Sequence, residues 1–103
     1  MSNIGKISSI DMLDTSESSI RCVIEFNKAI SLSIELEELI KKINKFHSYY
    51  VNGGILIKGD FFSQEEFVLE LLKKLKMLNL YITVEKQPFR DYTKYLKYID
   101  KLV

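Results

Sequence analysis

The chain has 103 residues, and its 15 Lys and Arg against 14 Asp and Glu give a formal net charge of +1. This length fits one small domain over residues 1–103, and the near-neutral charge predicts no general affinity for nucleic acid or for an anionic membrane. No apolar run approaches the ~18 residues of a membrane span, and the single cysteine, Cys22, excludes an internal disulfide and a cysteine-rich metal site. A reduced, cytoplasmic location is expected.

The first quarter of the chain predicts a β-hairpin. Residues 4–13 alternate loosely between apolar and polar side chains, residues 14–19 form a polar turn, and residues 20–26 are rich in β-branched and aromatic types without a helical period. Cys22 falls in the second of these strands, where we expect it to be a small buried hydrophobe.

Two amphipathic helices are predicted on either side of a short buried strand. Apolar residues at helical spacing run through residues 36–46, with acidic residues near the start and basic residues near the end, as the helix dipole favours. Residues 52–54 end this helix and precede the strand at residues 55–57. Ser63 and Glu66 have the spacing of a capping box, which predicts the start of the second helix.

The last quarter adds a strand at residues 80–84, a break at Gln87-Pro88, a helix capped by Asp91, and the start of a further strand at residues 102–103. The hairpin is therefore followed by βαβαβα units. This order predicts an α/β fold, a partial (β/α) barrel with a mostly parallel sheet of three or four strands. Because such a sheet cannot close, its edges and its uncovered face favour a homo-oligomer or a protein partner.

Gly59 and Asp60 follow the central strand, which is the position where α/β proteins commonly hold ligands. Phe61 and Phe62 come next, and their rings either fill the core or dock against another chain. No residue is predicted to be catalytic or to bind a metal ion. The only histidine, His47, has no recognised partner in the sequence and is expected to cap the C-terminal end of its helix or to lie at the surface.

Aromatic side chains also recur in the predicted last helix. Tyr92, Tyr95 and Tyr98 are spaced by three residues and alternate with lysines. Aromatic residues with basic neighbours can stack on single-stranded nucleic acid, but the low net charge favours packing on the sheet or on a second subunit.

Several of these stretches resemble the pyruvate formate-lyase activating enzymes, radical S-adenosylmethionine proteins that activate glycyl radical enzymes. Residues 1–21 are similar to the opening of that family, which begins with an Ile-Gly-Arg-Ile hairpin. Residues 53–60, followed by residues 64–72, are similar to its Gly-Gly-x-x-x-Ser-Gly-Gly-Glu strand, loop and helix. Residues 80–85 and 98–103 resemble its next two strands, so the similarity touches nearly all of this chain and about the first half of the family.

In that family three cysteines, spaced Cys-x-x-x-Cys-x-x-Cys, hold a 4Fe–4S cluster, because soft thiolate ligands bind iron–sulfur clusters. Counted without a gap, this chain has Ala29, Ser33 and Leu36 at those positions; deletion of the whole cluster loop before Ile30 is the other alignment. Either alignment leaves no cysteine ligand. Because the ligand positions of the family lack cysteine in this chain, no 4Fe–4S cluster and no other cofactor are expected.

The resemblance places Lys58, Gly59 and Asp60 in the loop that contacts S-adenosylmethionine. In the family two glycines next to an acidic residue let the backbone approach the cofactor, whereas here Lys58 stands beside Gly59 and Asp60. The Cβ and long stem of a lysine prevent the close approach that glycine permits. Two alternatives follow: these three residues retain some binding of S-adenosylmethionine, or that binding is lost.

These observations predict a non-catalytic, degenerate radical-S-adenosylmethionine activase-like domain that binds protein and is not an enzyme on its own. The expected partner is a second copy, a glycyl radical enzyme or a full-length activase. The candidate partner-binding residues are Phe61, Phe62, Tyr92 and Tyr95. The alternative is a subunit of a radical activating enzyme that contributes part of the S-adenosylmethionine site to a cluster-bearing partner chain.

Overall fold

The computed structural model describes residues 3–16, 18–27 and 32–103, in which strands and helices surround one apolar core. The strands of this described part are β1 (Ile4–Ile7), β2 (Ser9–Asp14), β3 (Arg21–Phe26), β4 (Leu32–Glu35), β5 (Ile55–Gly59), β6 (Ile82–Val84) and β7 (Lys101–Leu102). Its helices are α1 (Leu36–Lys45), α2 (Glu65–Met77) and short 3-10 helices at His47–Tyr50, Phe62–Gln64 and Thr93–Tyr98.

The described strands form two sheets. The main sheet has five strands in the order β2-β3-β5-β6-β7, in which β2 runs antiparallel to β3 and the other neighbours are parallel. The smaller sheet is the antiparallel pair of β1 and β4, with Ile4 opposite Glu35 and Ile7 opposite Leu32.

The prediction of a partial (β/α) barrel with a mostly parallel sheet of three or four strands is wrong. β2 occupies the outer edge of β3 in the antiparallel sense, so the main sheet is mixed. Ser8 separates β1 from β2, and both its N–H and its hydroxyl donate to the Glu25 carbonyl, at 2.8 and 2.9 Å. β1 then leaves the hairpin and pairs with β4, a strand that the sequence did not indicate.

The predicted hairpin is present in the pairing of β2 with β3. Asp14 and Arg21 close its turn through a bond of 2.9 Å between the Arg21 Nε and the Asp14 Oδ2. This guanidinium, together with the Ser16 hydroxyl and N–H, holds the pKa of Asp14 below its usual value. Glu17, which belongs to the predicted turn, lies outside the described residues.

The two α-helices form where the apolar periodicity predicts them. The prediction of a capping box at Ser63 and Glu66 is wrong. α2 follows a 3-10 turn, and its N-cap residue Gln64 makes no capping hydrogen bond. The predicted last helix is a 3-10 helix, and the prediction that Asp91 caps it is wrong, because its N-cap residue is Tyr92 and makes no side-chain capping hydrogen bond. Asp91 accepts the Thr93 N–H at 2.9 Å in the turn that precedes this helix. None of the helices in the described ranges combines the length and apolar composition needed to cross a membrane.

The main sheet has one covered face and one open face. On the covered face Cys22, Ile24 and Phe26 of β3 are at most 3% exposed and belong to the apolar core formed with α1 and α2. On the open face the alternate side chains of β3 are half-buried. Leu56 of β5 lies in register with Val23 and is 7% exposed without belonging to that core.

Candidate binding site at the carboxyl end of the main sheet

Gly59 ends β5 in a conformation that favours glycine. Its φ is +94°, and a Cβ at this position would lie 1.9 Å from the Phe26 carbonyl oxygen. The next residue, Asp60, donates its N–H to the same carbonyl at 3.2 Å. The absence of a side chain therefore allows β5 to bend tightly against the end of β3.

Asp60 joins two loops at this end of the sheet. Its Oδ1 accepts the Phe62 N–H at 3.3 Å, and its Oδ2 lies 2.5 Å from Nη2 of Arg90. The Arg90 guanidinium also lies over the Phe62 ring, 5.4 Å from the ring centre. The carboxylate thus fixes the loop after β5 to the loop after β6.

The four predicted partner-binding aromatic residues lie together behind Asp60. Phe61, Tyr95 and Tyr92 are 0, 2 and 5% exposed, and Phe62 is half-buried. The Phe61 ring stacks on Phe62 with centres 5.0 Å apart and meets Tyr95 edge-on at 5.2 Å. Burial raises the pKa of Tyr95, and the charge of Glu65 adds to this effect. Three of the four rings are core side chains, so Phe62 offers more surface than the others.

Two clefts flank the Gly59-Asp60 turn. One, of about 410 Å³, is lined by Ile4, Lys6, Phe26, Asn27, Asp60, Ser63 and Gln64. The other, of about 310 Å³, is lined by Glu25, Phe26, Asn27, Lys58, Gly59, Asp60, Glu85 and Gln87. Both volumes are at the lower end of the range for small-molecule sites. The second cleft brings together Lys58, Gly59 and Asp60, the three residues predicted to form the residual cofactor loop.

Of the positions that the ungapped alignment equates with cluster ligands, Ser33 and Leu36 are described, and they differ in burial. Ser33 is exposed in β4, whereas Leu36 is the first residue of α1 and is 3% exposed in the core. Ala29 and Ile30 lie outside the described residues. Within the described residues, no group of three or more His, Cys, Asp or Glu side chains is arranged to hold a metal ion.

Cys22 is a buried residue of β3, as the sequence predicts. It is 0% exposed, and burial raises the pKa of its thiol to about 12. The thiolate is the form that binds metals and attacks electrophiles, so both the burial and the raised pKa of Cys22 disfavour the reactive form. The nearby Tyr50 hydroxyl donates to the Met12 carbonyl at 2.7 Å, and burial raises the pKa of Tyr50 as well.

His47 serves as a link between helices. Its Nε2 lies 2.6 Å from the carbonyl oxygen of Leu78, the residue that follows α2. A histidine near the last carbonyls of a helix satisfies an acceptor that has no partner within the helix. The contact is to the end of α2, whereas the sequence predicted a cap on the helix that His47 itself follows.

The loop at residues 87–91 is part of this site, and the sequence singled out only its Gln87-Pro88 break and Asp91. Arg90 supplies the cation that pairs with Asp60. Its neighbour Phe89 has a φ of +62° and a side chain that is fully exposed, at 104%. A large aromatic residue directly after a proline in an otherwise polar loop is the signal that could have drawn attention to it.

A comparison with models of known protein families gives no match to this chain, and a comparison with curated proteins gives none either. The resemblance to the activating enzymes is therefore carried by the residues of this chain alone.

Proposed function

We propose that this chain is a non-catalytic domain related to the activating enzymes of glycyl radical enzymes, and that it works in the cytoplasm as a protein-binding or assembly module. The support is the combination of similar framework stretches around residues 53–60 with the absence of cysteine at every cluster position of either alignment. An iron–sulfur cluster needs thiolate ligands, and the one cysteine of the chain is buried and protonated.

One observation carries this proposal. The residues that the resemblance assigns to the cofactor loop contact other residues of the same chain. Asp60 accepts the Phe62 N–H and pairs with Arg90, while the missing side chain of Gly59 makes room for the Phe26 carbonyl. The groups that the resemblance assigns to S-adenosylmethionine thus have structural roles here. A ligand that recruited the Asp60 carboxylate would have to compete with the Arg90 guanidinium.

Anaerobic incubation of the full chain with iron and sulfide tests the loss of the cluster. We expect no absorbance near about 400 nm and no protein-bound iron after desalting, because one thiol cannot support a cluster. Calorimetry with S-adenosylmethionine tests the loop separately, and we expect no binding by the native chain. A Lys58→Gly variant restores the second glycine and serves as the matched comparison. Stoichiometric iron in the native chain would contradict the proposal.

Partner binding is tested with a purified glycyl radical enzyme and with a full-length activase from the same cell. We expect one of the two to bind the chain, and we expect Phe62→Leu to weaken the complex because Phe62 keeps surface at the carboxyl end of the sheet. Met77→Ala is the control, since Met77 is 80% exposed at the far end of α2. Binding to neither protein would contradict the assembly role.

The same mixtures distinguish the alternative, a subunit that completes the S-adenosylmethionine site of a cluster-bearing chain. The observation favouring it is the cleft of about 310 Å³ beside Lys58, Gly59 and Asp60. If it is correct, adding this chain to the activase accelerates reductive cleavage of S-adenosylmethionine, and Lys58→Ala changes that acceleration. A non-catalytic module leaves the cleavage rate unchanged.

A further inference from the structure

Exposed apolar side chains meet at the amino-terminal end of the main sheet, opposite the end that carries the Gly59-Asp60 turn. β5 and β6 are parallel, so the segments that precede them lie at the same end. Tyr49 and Val51 precede β5 and are 53 and 74% exposed. Met77 and Tyr81 precede β6 and are 80 and 49% exposed. These four residues are called the apolar rim.

Hydrogen bonds join the two segments that carry the apolar rim. The His47 Nε2 lies 2.6 Å from the Leu78 carbonyl oxygen, and the Ile55 N–H donates to the Tyr81 carbonyl at 2.8 Å. Tyr50, between two residues of the rim, is 1% exposed and fixes its segment to the core. Because the backbone is held in this way, little conformational entropy is lost when the rim binds another surface.

A basic surface adjoins the apolar rim at the C-terminal end of α1. Lys41, Lys42 and Lys45 are exposed, and none of them forms an ion pair with the residues that the structure describes. The Lys45 Nζ lies 5.8 Å from the centre of the Phe46 ring, which in turn lies 6.0 Å from that of Tyr49. By contrast, the lysines in the last turns of α2 have acidic partners. Unpaired positive charge therefore lies beside exposed aromatic and aliphatic side chains.

We propose that the apolar rim and the three lysines of α1 bind the surface of an anionic lipid bilayer. Anionic headgroups attract lysine ammonium groups, and aromatic and aliphatic side chains partition into the interface below them. Nucleic acid also presents anionic groups, but its phosphate backbone offers no apolar region to Val51 and Met77. The net charge of +1 averages over the whole chain and therefore hides this local surface. The inference does not depend on the proposed function, because Phe62 lies at the other end of the sheet.

Co-sedimentation of the full chain with lipid vesicles tests this surface. With equal parts of phosphatidylcholine and phosphatidylglycerol, we expect half of the chain to bind at about 0.1 to about 1 mM lipid, as a single acyl chain would. Binding to phosphatidylcholine alone is expected to be about 100-fold weaker, because each lysine near an anionic surface contributes about fivefold in affinity. Raising the salt concentration from about 0.1 M to about 0.5 M is expected to weaken binding to the anionic vesicles, because ions screen the lysines.

Two variants with the same net charge separate a local effect from a global one. Changing Lys41, Lys42 and Lys45 to Gln is expected to weaken binding to anionic vesicles about 100-fold. The control variant changes three lysines near the carboxyl end of the sheet: Lys6→Gln, Lys86→Gln and Lys94→Gln. Its binding is expected to stay within about threefold of that of the native chain. Equal losses in the two variants would overturn the proposal, because net charge alone would then explain the binding.

A second pair of variants tests the apolar rim. Tyr49→Ser with Val51→Ser removes one aromatic and one aliphatic side chain, and we expect binding at least about 10-fold weaker. Phe89→Ser with Leu32→Ser removes the same kinds of exposed side chain from outside the rim and is expected to leave binding unchanged. Thermal unfolding checks that each variant folds.

Three further results would overturn the proposal. One is a native chain that does not sediment with anionic vesicles up to about 10 mM lipid. Another is equal binding to neutral and anionic vesicles. The third is a rim variant that loses self-association or RNA binding while its vesicle binding stays at the native level, because the rim would then serve a second copy or a nucleic acid.

Discussion

On the covered face of the main sheet Ile24, Ile57 and Val84 stand side by side on three neighbouring strands, and each is fully buried. One residue further along two of these strands, on the open face, Glu25 stands opposite Lys58, and both are half-buried. A closed barrel packs side chains inside and covers them with helices outside, so both faces of its strands are buried. In this sheet the apolar core lies against one face only, and the other face carries half-buried residues such as Glu25 and Lys58.

The largest expected effect is the difference in unfolding free energy between substitutions on the two faces of one strand, β5. Ile57→Ala is expected to lower the free energy of unfolding by about 3 kcal/mol, because it leaves a cavity under the helices. Lys58→Ala, the adjacent residue on the open face, is expected to change it by less than about 0.5 kcal/mol. Urea denaturation of both variants checks the difference, and similar losses for the two would show that the open face is covered in solution.

Gly59→Ala is expected to have the next largest effect. A methyl group there would meet the Phe26 carbonyl oxygen at 1.9 Å in a backbone with φ +94°, so the ends of β3 and β5 must move apart. We expect a loss of at least about 2 kcal/mol in the free energy of unfolding. The Lys58→Ala variant supplies the baseline for the same denaturation experiment. A loss as small as that baseline would mean that the turn tolerates a side chain and that Gly59 is not required for folding.

The Asp60–Arg90 pair is expected to contribute less. Its side chains are 29 and 42% exposed, and pairs in such surroundings couple by under about 1 kcal/mol. A double-mutant cycle with Asp60→Asn and Arg90→Met measures this coupling energy. Adding salt should reduce it, because solvent ions screen a partly exposed pair. A coupling that salt leaves unchanged would show that another molecule covers the pair.

The smallest effect concerns the turn of the hairpin. The Arg21 guanidinium lowers the pKa of Asp14 in the folded state, so the charged carboxylate stabilises the fold at pH values above the unfolded pKa of about 3.9. This contribution is lost as the pH falls through the lower, folded pKa. Urea midpoints of the native chain should therefore fall faster than those of Asp14→Asn between about pH 4 and about pH 2. If the urea midpoints of the two proteins fell equally with pH, the lowered pKa of Asp14 in the folded state would be contradicted.

Apolar periodicity was sufficient to predict β3, α1 and α2, which supply much of the core. Cys22, Ile24 and Phe26 alternate inward along β3, and the stripes of α1 and α2 continue the same core. The sequence did not indicate β4, because Leu32–Glu35 has no buried residue and adjoins a stronger helical pattern. Its pairing with β1 joins residues about thirty positions apart, which no local pattern encodes.

At the candidate site, the sequence drew attention to Gly59 and Asp60 through their place after a buried strand. It could not reveal Arg90, because the pair spans thirty residues and depends on where two loops meet. The capping box failed for a related reason. Gln64 takes the N-cap position and reaches back to Lys6, a contact that exists only once β1 has docked.

That contact has a consequence for the exposed strand β1. The Gln64 amide accepts the Lys6 N–H at 2.6 Å and donates to the Lys6 carbonyl at 2.8 Å, so it makes both bonds that a neighbouring strand would make. Unpaired backbone groups at a sheet edge invite strand addition and amyloid-like growth. One glutamine side chain thus occupies both backbone positions of Lys6 to which a foreign strand would bond.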